Sequence, residues 1–203
     1  MKSNNHLPDK INSANILIKR LNFNKELFLF NELMKLYKKN NKHLHLWHLN
    51  KIELNFNNIE AYIKYLKSSK LLCYVLINNK KVIGCIEVGK LSKCYESLKY
   101  RYLTFWLDED NKRKYIMFKA LSSLLDIFKT LNIDYIKVMV DDKNIASINL
   151  LKKLGFYILT KYSAMDIESL IPEETTIEFR NDISVLSEEK MREFKIRKGL
   201  IKK

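Results

Sequence analysis

Two hydrophobic rhythms run through this chain, and the changes from one to the other mark out its elements. Ile16-Leu17-Ile18 opens an apolar strand. Over 23–39, Leu27, Phe30, Leu33, Met34 and Tyr37 recur at helical spacing. Asn57-Asn58 supplies a cap for a second helix carrying Ile59, Tyr62, Ile63 and Leu66. Apolar runs at 71–77 and 81–88, joined through Asn78-Asn79-Lys80, predict an antiparallel hairpin. A strand over 100–107 runs into a wholly polar stretch, 108–114. Beyond it comes a long amphipathic helix with the stripe Met117, Ala120, Leu121, Leu124, Leu125, Phe128 and Leu131. Asn132 closes that helix, and 133–140 reads as a strand. A shorter helix over 145–154 is stopped by Gly155 acting as a left-handed cap, and strand character resumes over 156–162.

This order predicts an α/β fold with a mixed central sheet flanked by helices. Residues 1–14 read as a polar, loosely held lead-in, 15–170 as the domain, and 171–203 as an accessory C-terminal tail. Within the tail, 175–179 has strand character, and Ser187 with Glu188 and Glu189 can start a short basic helix.

Hydrophobic residues make up 47% of the chain and aromatics 11%, a globular composition. Four glycines and two prolines leave the turns to polar residues, many of them Asn. Lys and Arg number 37 against 23 acidic residues, a formal charge of +14. A nucleic-acid binder or a lysine-rich composition would both give this excess. The lysines are scattered and no nucleic-acid motif accompanies them, which argues against nucleic acid; the same field draws in a polyanionic cofactor. Cys73, Cys85 and Cys94 form no Cys-x-x-Cys pair, as expected of reduced thiols. No apolar signal core opens the chain, and no apolar run reaches the ~20 residues of a membrane span. A soluble cytoplasmic protein without membrane partners, monomeric or homodimeric, is the expectation.

The chemistry concentrates between Tyr102 and Phe156. A strand, a polar loop and the start of a long helix point several N–H groups and a helix dipole at one spot, a place for an anionic phosphate. About thirty residues on stand Asn144-Ile145-Ala146-Ser147 and, six residues later, Leu154-Gly155-Phe156. This spacing resembles the second conserved block of the GNAT N-acetyltransferases. The run from Trp106-Leu107-Asp108 through Ala120-Leu121 is similar to the first block, in the variety found in ribosomal-protein (Rim-type) and amino-sugar N-acetyltransferases. Trp47 and the helix after it fit the early part of those enzymes, so the resemblance covers roughly residues 15–170. It implies a mostly antiparallel sheet, acetyl-coenzyme A as cosubstrate with no metal, and a small-molecule amine or protein N-terminus as acceptor.

The same resemblance assigns roles. Main-chain N–H groups of Trp106 and Leu107, the loop Lys112-Arg113-Lys114-Tyr115-Ile116-Met117, and Asn144 would hold the cofactor. Ser147 would protonate the leaving thiolate, since Leu151 stands where many relatives carry a tyrosine. Asp166, with Glu87 as a second candidate, would accept the amine proton. One departure stands out. The family's loop is glycine-rich, whereas this one has no glycine, and a side chain at Tyr115 threatens the close approach that glycine permits. The three cations Lys112, Arg113 and Lys114 can compensate through side-chain contacts to phosphate. The alternative is a degenerate, non-catalytic binding protein. His43, His45, Trp47 and His48 form a compact cluster, and His45, Trp47 and His48 are candidate walls of the acceptor pocket. A polar turn around one buried tryptophan would look the same, and no carboxylate or Cys completes a metal set.

Overall fold

The computed structural model describes residues 7–22, 24–41, 44, 59–93, 98–131, 133–162 and 176–182. Among the described residues nine strands form one sheet: β1 Lys10–Ser13, β2 Ile16–Arg20, β3 Leu72–Asn78, β4 Lys81–Val88, β5 Ser92–Lys93, β6 Lys99–Leu107, β7 Tyr135–Asp141, β8 Tyr157–Tyr162 and β9 Thr176–Asp182. Four helices among the described residues flank it: α1 Leu27–Lys39, α2 Ile59–Ser68, α3 Ile116–Thr130 and α4 Ile145–Lys153. The order across the sheet is β1-β2-β3-β4-β6-β7-β9-β8, with β5 paired to β6. Every pairing is antiparallel except β6 with β7. The fold is therefore α/β with a mixed sheet, as the patterning implied, and mostly antiparallel, as the resemblance implied.

Two apolar layers sandwich the sheet. The stripe of α3 lies against one face with Tyr74, Ile86, Leu103, Ile136 and Val138, and Ile148 and Leu151 of α4 join that layer. On the other face, Phe30, Leu33, Met34 and Tyr37 of α1 and Tyr62 and Leu66 of α2 cover Cys73, Val75 and Cys85. Asn79 and Lys80 both take positive φ (47° and 62°), so a two-residue turn joins β3 to β4 with the right-handed strand twist. Gly84 lets β4 and β6 close up, because a Cβ there would collide with the Trp106 carbonyl oxygen. Gly155 ends α4 at φ 81°, with Phe156 N–H donating back to the Leu151 carbonyl, as the sequence led one to expect.

Three expectations are corrected. From Leu7 onward the lead-in is not loose: β1 pairs with β2, Leu7 and Ile11 are buried, and Ser13 Oγ donates to the Lys119 carbonyl at 3.0 Å. Helix α1 starts at Leu27, not 23. The Asn22 carbonyl accepts from Lys25 and Glu26, and its side chain accepts from Asn24 N–H, which forms a turn first. Leu27 consequently falls off the stripe and is exposed. Finally, the strand expected in an accessory tail is β9, which runs inside the sheet between β7 and β8 with Phe179 fully buried.

Candidate functional site

Strands β6 and β7 are paired only at Tyr100–Tyr102 with Tyr135–Lys137; beyond that point they diverge. The gap opens into a cleft of about 1060 Å³, walled by Leu103 to Leu107 of β6, Val138 to Asp141 of β7 and the first turns of α3 and α4. The pairing of β6 with β4 settles which main-chain groups face the gap. Gly89 N–H donates to the Tyr102 carbonyl and Asp108 N–H to the Ile83 carbonyl, while the register between them runs unbroken. Alternation therefore turns the even-numbered residues towards β4 and the odd ones, Phe105 and Leu107, towards the cleft. Phe105 and Leu107 are both main-chain donors on the cleft side, so of the two expected donors Leu107 is in place. Trp106, expected beside it, spends its main-chain groups on β4 and meets Tyr37 edge-on, ring centroids 6.2 Å apart.

The loop after β6 is built on Asp108. This carboxylate is buried and accepts from Asn40 Nδ2 (2.8 Å), Lys39 Nζ (3.0 Å) and Asn111 Nδ2 (3.1 Å). Asn40 Oδ1 in turn accepts from Glu109 N–H at 3.1 Å. Burial works to raise the Asp108 pKa, but the bonds from Asn40 and Lys39 outweigh it and hold the group below its ordinary value. The end of α1 is thereby fastened to the loop that leads into α3.

That loop keeps a glycine-like backbone without any glycine. Arg113 (φ 59°) and Tyr115 (φ 57°, ψ 12°) are both left-handed, and Tyr115 is the residue that caps α3. No side chain caps the helix and no acid sits in its first turn, so the leading N–H groups and the positive dipole end remain open to an anion. Tyr115 does not fill the cleft. Its side chain is exposed at the rim, edge-on to Phe118 and under Lys153 Nζ, 4.5 Å from the ring centroid. Lys112, Arg113, Tyr115, Ile116 and Met117 all line the cleft. Lys112 also pairs with Glu109 Oε1 (3.3 Å), while Lys114 turns back to the Asp110 carbonyl (2.7 Å) and does not line it.

Asn144 and Ser147 stand on the far wall. Asn144 Oδ1 caps α4 by accepting Ser147 N–H at 3.2 Å. The Ser147 hydroxyl has no hydrogen-bond partner among the described residues and lines the cleft. Glu87 is not part of the cleft wall; it lies on the α1/α2 face of β4, directly across from Thr104, which does line the cleft. Its carboxyl is buried and accepts from Tyr62 Oη at 2.7 Å. Burial pushes its pKa up, and the Tyr62 bond only partly opposes this. Tyr37 is raised to about 12 by burial and by the nearby Glu87 charge. Sequence patterning took Tyr62 for a core aromatic; nothing in a helical stripe signals a partner on β4. Asp166, His43, His45, Trp47 and His48 lie outside the described residues. Among the described residues, no group of three or more His, Cys, Asp or Glu is placed to hold a metal, and no helix is long and apolar enough to cross a membrane.

A family profile described as an acetyltransferase (GNAT) domain matches residues 31–157. No curated protein matches the chain by sequence. Among solved structures, the ribosomal α-N-protein acetyltransferase RimL in complex with coenzyme A superposes with a TM-score of 0.68 at 13% identity, over 85% of this chain and 97% of that one. The ribosomal-protein-S5-alanine acetyltransferase of Vibrio fischeri gives 0.70 at 17% identity, over 87% and 97%. The microcin C7 self-immunity acetyltransferase MccE, in complex with acetyl-CoA and AMP, gives 0.69 at 16% identity, also over 87% and 97%. At these identities the likeness is one of fold.

Proposed function

Because this chain belongs to the GNAT acetyltransferase family, we propose that it is an acetyl-coenzyme A-dependent N-acetyltransferase acting on a primary amine. The observation that carries this reading is the loop conformation. Arg113 and Tyr115 adopt the left-handed backbone that glycine would adopt, so the cradle at the start of α3 persists although its glycines do not. A relic pocket would have no reason to keep two strained residues there. The same observation weighs against a degenerate binding protein.

Acetyl-coenzyme A supplies its acetyl group as a thioester; the amine nitrogen bonds to the carbonyl carbon, and the carbon–sulfur bond breaks as the thiolate leaves. The chain's residues divide the remaining work. The open N–H groups of Ile116 and Met117, with Arg113 beside them, bind phosphate. Leu107 N–H faces the gap and stabilises charge that builds on the carbonyl oxygen. Glu87, with its raised pKa, accepts the ammonium proton through the Thr104 side of the cleft, with Asp166 as the other candidate. Ser147 relays a proton to the departing sulfur, giving up its hydroxyl proton as it takes one from water in the cleft, so that the hydroxyl is regained. The acceptor is a protein N-terminus or a small amine such as an amino-sugar nucleotide. Two of the fold neighbours are ribosomal-protein acetyltransferases, one of them an α-N-protein acetyltransferase, which favours the first.

Calorimetry with acetyl-coenzyme A followed by a screen of N-terminal peptides and amino sugars tests the reading. Saturable binding and release of free thiol with at least one amine are expected. A folded protein that binds no coenzyme A would overturn it.

A further inference from the structure

Two carboxylates line the cleft, and their surroundings differ. Glu109 is exposed and pairs with Lys112 at 3.3 Å. Asp141, the last residue of β7, is only 6% exposed and forms no ion pair among the described residues. Its Oδ1 accepts the Lys143 N–H at 2.7 Å. Oδ2 has no hydrogen-bond partner among the described residues and is open to the cleft. Alternation fixes where this side chain stands. Ile136, Val138 and Val140 lie in the α3 layer, so Lys137, Met139 and Asp141 turn to the opposite face of the sheet, the face that carries Glu87. There Lys137 is already matched by Glu178 at 2.8 Å. Past the point where β6 and β7 part, Thr104 and Trp106 share that face with Met139 and Asp141, and all four line the cleft.

The turn after β7 does not call for a charge, because an asparagine would accept the Lys143 N–H equally well. A carboxylate withdrawn from water with one oxygen unmatched is costly unless a cation meets it. The cleft is also divided by charge. Its phosphate end carries Lys112, Arg113 and Lys153 with the open start of α3, whereas Asp141 stands on the face where Glu87 takes the amine proton. A phosphate at the first end does nothing for Asp141; a cation on the acceptor does. The reacting amine gives up its charge before it attacks, so the cation that Asp141 holds through the reaction is a second one.

We propose that Asp141 is a specificity-determining residue that binds a second cationic group on the acceptor, beside the reacting amine. The substrate class is then dicationic amines, either small diamines or N-termini followed by a basic residue. Amino-sugar nucleotides, which carry a diphosphate, are disfavoured by the same charge. This inference rests on the acetyltransferase reading above and narrows its acceptor. Because the second cation keeps its charge throughout, it holds substrate and transition state alike, and its effect falls on KM more than on kcat.

The test compares acceptors that differ by one ammonium group, with thiol release read at saturating acetyl-coenzyme A. Putrescine and cadaverine are set against butylamine and pentylamine, and N-terminal peptides with lysine at the next position against the same peptides with norleucine. Wild type should favour the dicationic member by on the order of 10- to 100-fold in kcat/KM, mostly through KM. A preference among the diamines alone identifies a small amine, one among the peptides alone a protein N-terminus, and either supports the inference. Asp141→Asn keeps an acceptor for the Lys143 N–H and should bring the ratio close to one by raising KM for the dicationic member. Asp141→Ser, whose hydroxyl also accepts that N–H, serves in its place if the asparagine variant melts early. No preference in either series, or one that survives the substitution, overturns the inference and leaves the acetyltransferase reading standing. A wild type that releases no thiol with any of these amines and binds no coenzyme A overturns both.

Discussion

Tyr115 gives the most direct handle on whether the loop is held in a glycine-like shape. At φ 57° and ψ 12° the residue sits where an L side chain crowds its own carbonyl, a cost of roughly 1–2 kcal/mol relative to the right-handed region. Replacing it with glycine alone mixes three effects: strain released, unfolded-state entropy gained, and the contact with Lys153 lost. Comparing Tyr115→Gly with Tyr115→Ala separates them, because both variants lose the ring and only alanine keeps the strain. Set against that relief is glycine's greater freedom in the unfolded chain, about 0.4–1 kcal/mol. The glycine variant should then be the more stable, by up to about 1.6 kcal/mol and by about 0.8 kcal/mol at the midpoints of the two ranges. For a chain of this size a difference of 1 kcal/mol corresponds to about 2–4 °C in Tm. Thermal and urea unfolding of the two variants side by side would measure it, with coenzyme A titrated into each. An alanine variant as stable as the glycine one, or more so, would mean that position 115 is not held left-handed, and the argument for a preserved cradle would fall with it.

Two further outcomes follow from the cleft. Ser147→Ala should lower turnover by about 10²-fold or more with coenzyme A affinity unchanged, read from steady-state kinetics beside calorimetry; a loss of affinity with turnover intact would make Ser147 a binding residue instead. If Glu87 is the base, kcat/KM should fall on the acid side at a pH above the ordinary carboxylate range, because burial raises its pKa. Tyr62→Phe, which removes a bond to the ionised form, should move that limb to still higher pH, and Glu87→Gln should abolish it. The stability consequence has a definite sign: a raised folded pKa contributes stability at pH below the unfolded value near 4.5 and loses it as pH climbs through the folded pKa. The fall should be absent in Glu87→Gln.

What the sequence displayed and what it concealed divide along physical lines. The stripe of α3 was legible because seven apolar positions over four turns leave one helical face, and six of them are buried. The turn after Asn78 and the Gly155 cap were legible because Asn79 and Gly155 are residue types that suit left-handed backbone. Arg113 and Tyr115 were not, since their residue types argue against the conformation they hold; surrounding structure, including the Asp108 anchor, imposes it. The strand β1 is four residues long with two buried positions, too short for a period to declare itself. The ties from Asn40 to Asp108 and from Tyr62 to Glu87 join residues 68 and 25 apart in sequence. Side chains so placed reveal their pairing only once the sheet brings them together.

The position of β9 has a consequence for how the chain is made. It is the last strand in sequence among those described, yet it fills a slot between β7 and β8, bonded along seven residues of β7. A nascent chain that has emerged through Tyr162 carries β7 and β8 but not the strand that joins them, since β8 pairs only with β9. At about 5–20 residues per second, the ribosome needs about 1–4 s more to deliver residues through Asp182. During that interval two strand edges are unmet, each a template for any extended segment nearby, whether a neighbour on the same polysome or a chaperone's client groove. Closing the sheet therefore waits on β9, which joins β8 to β7 and brings the Phe179 side chain into the core.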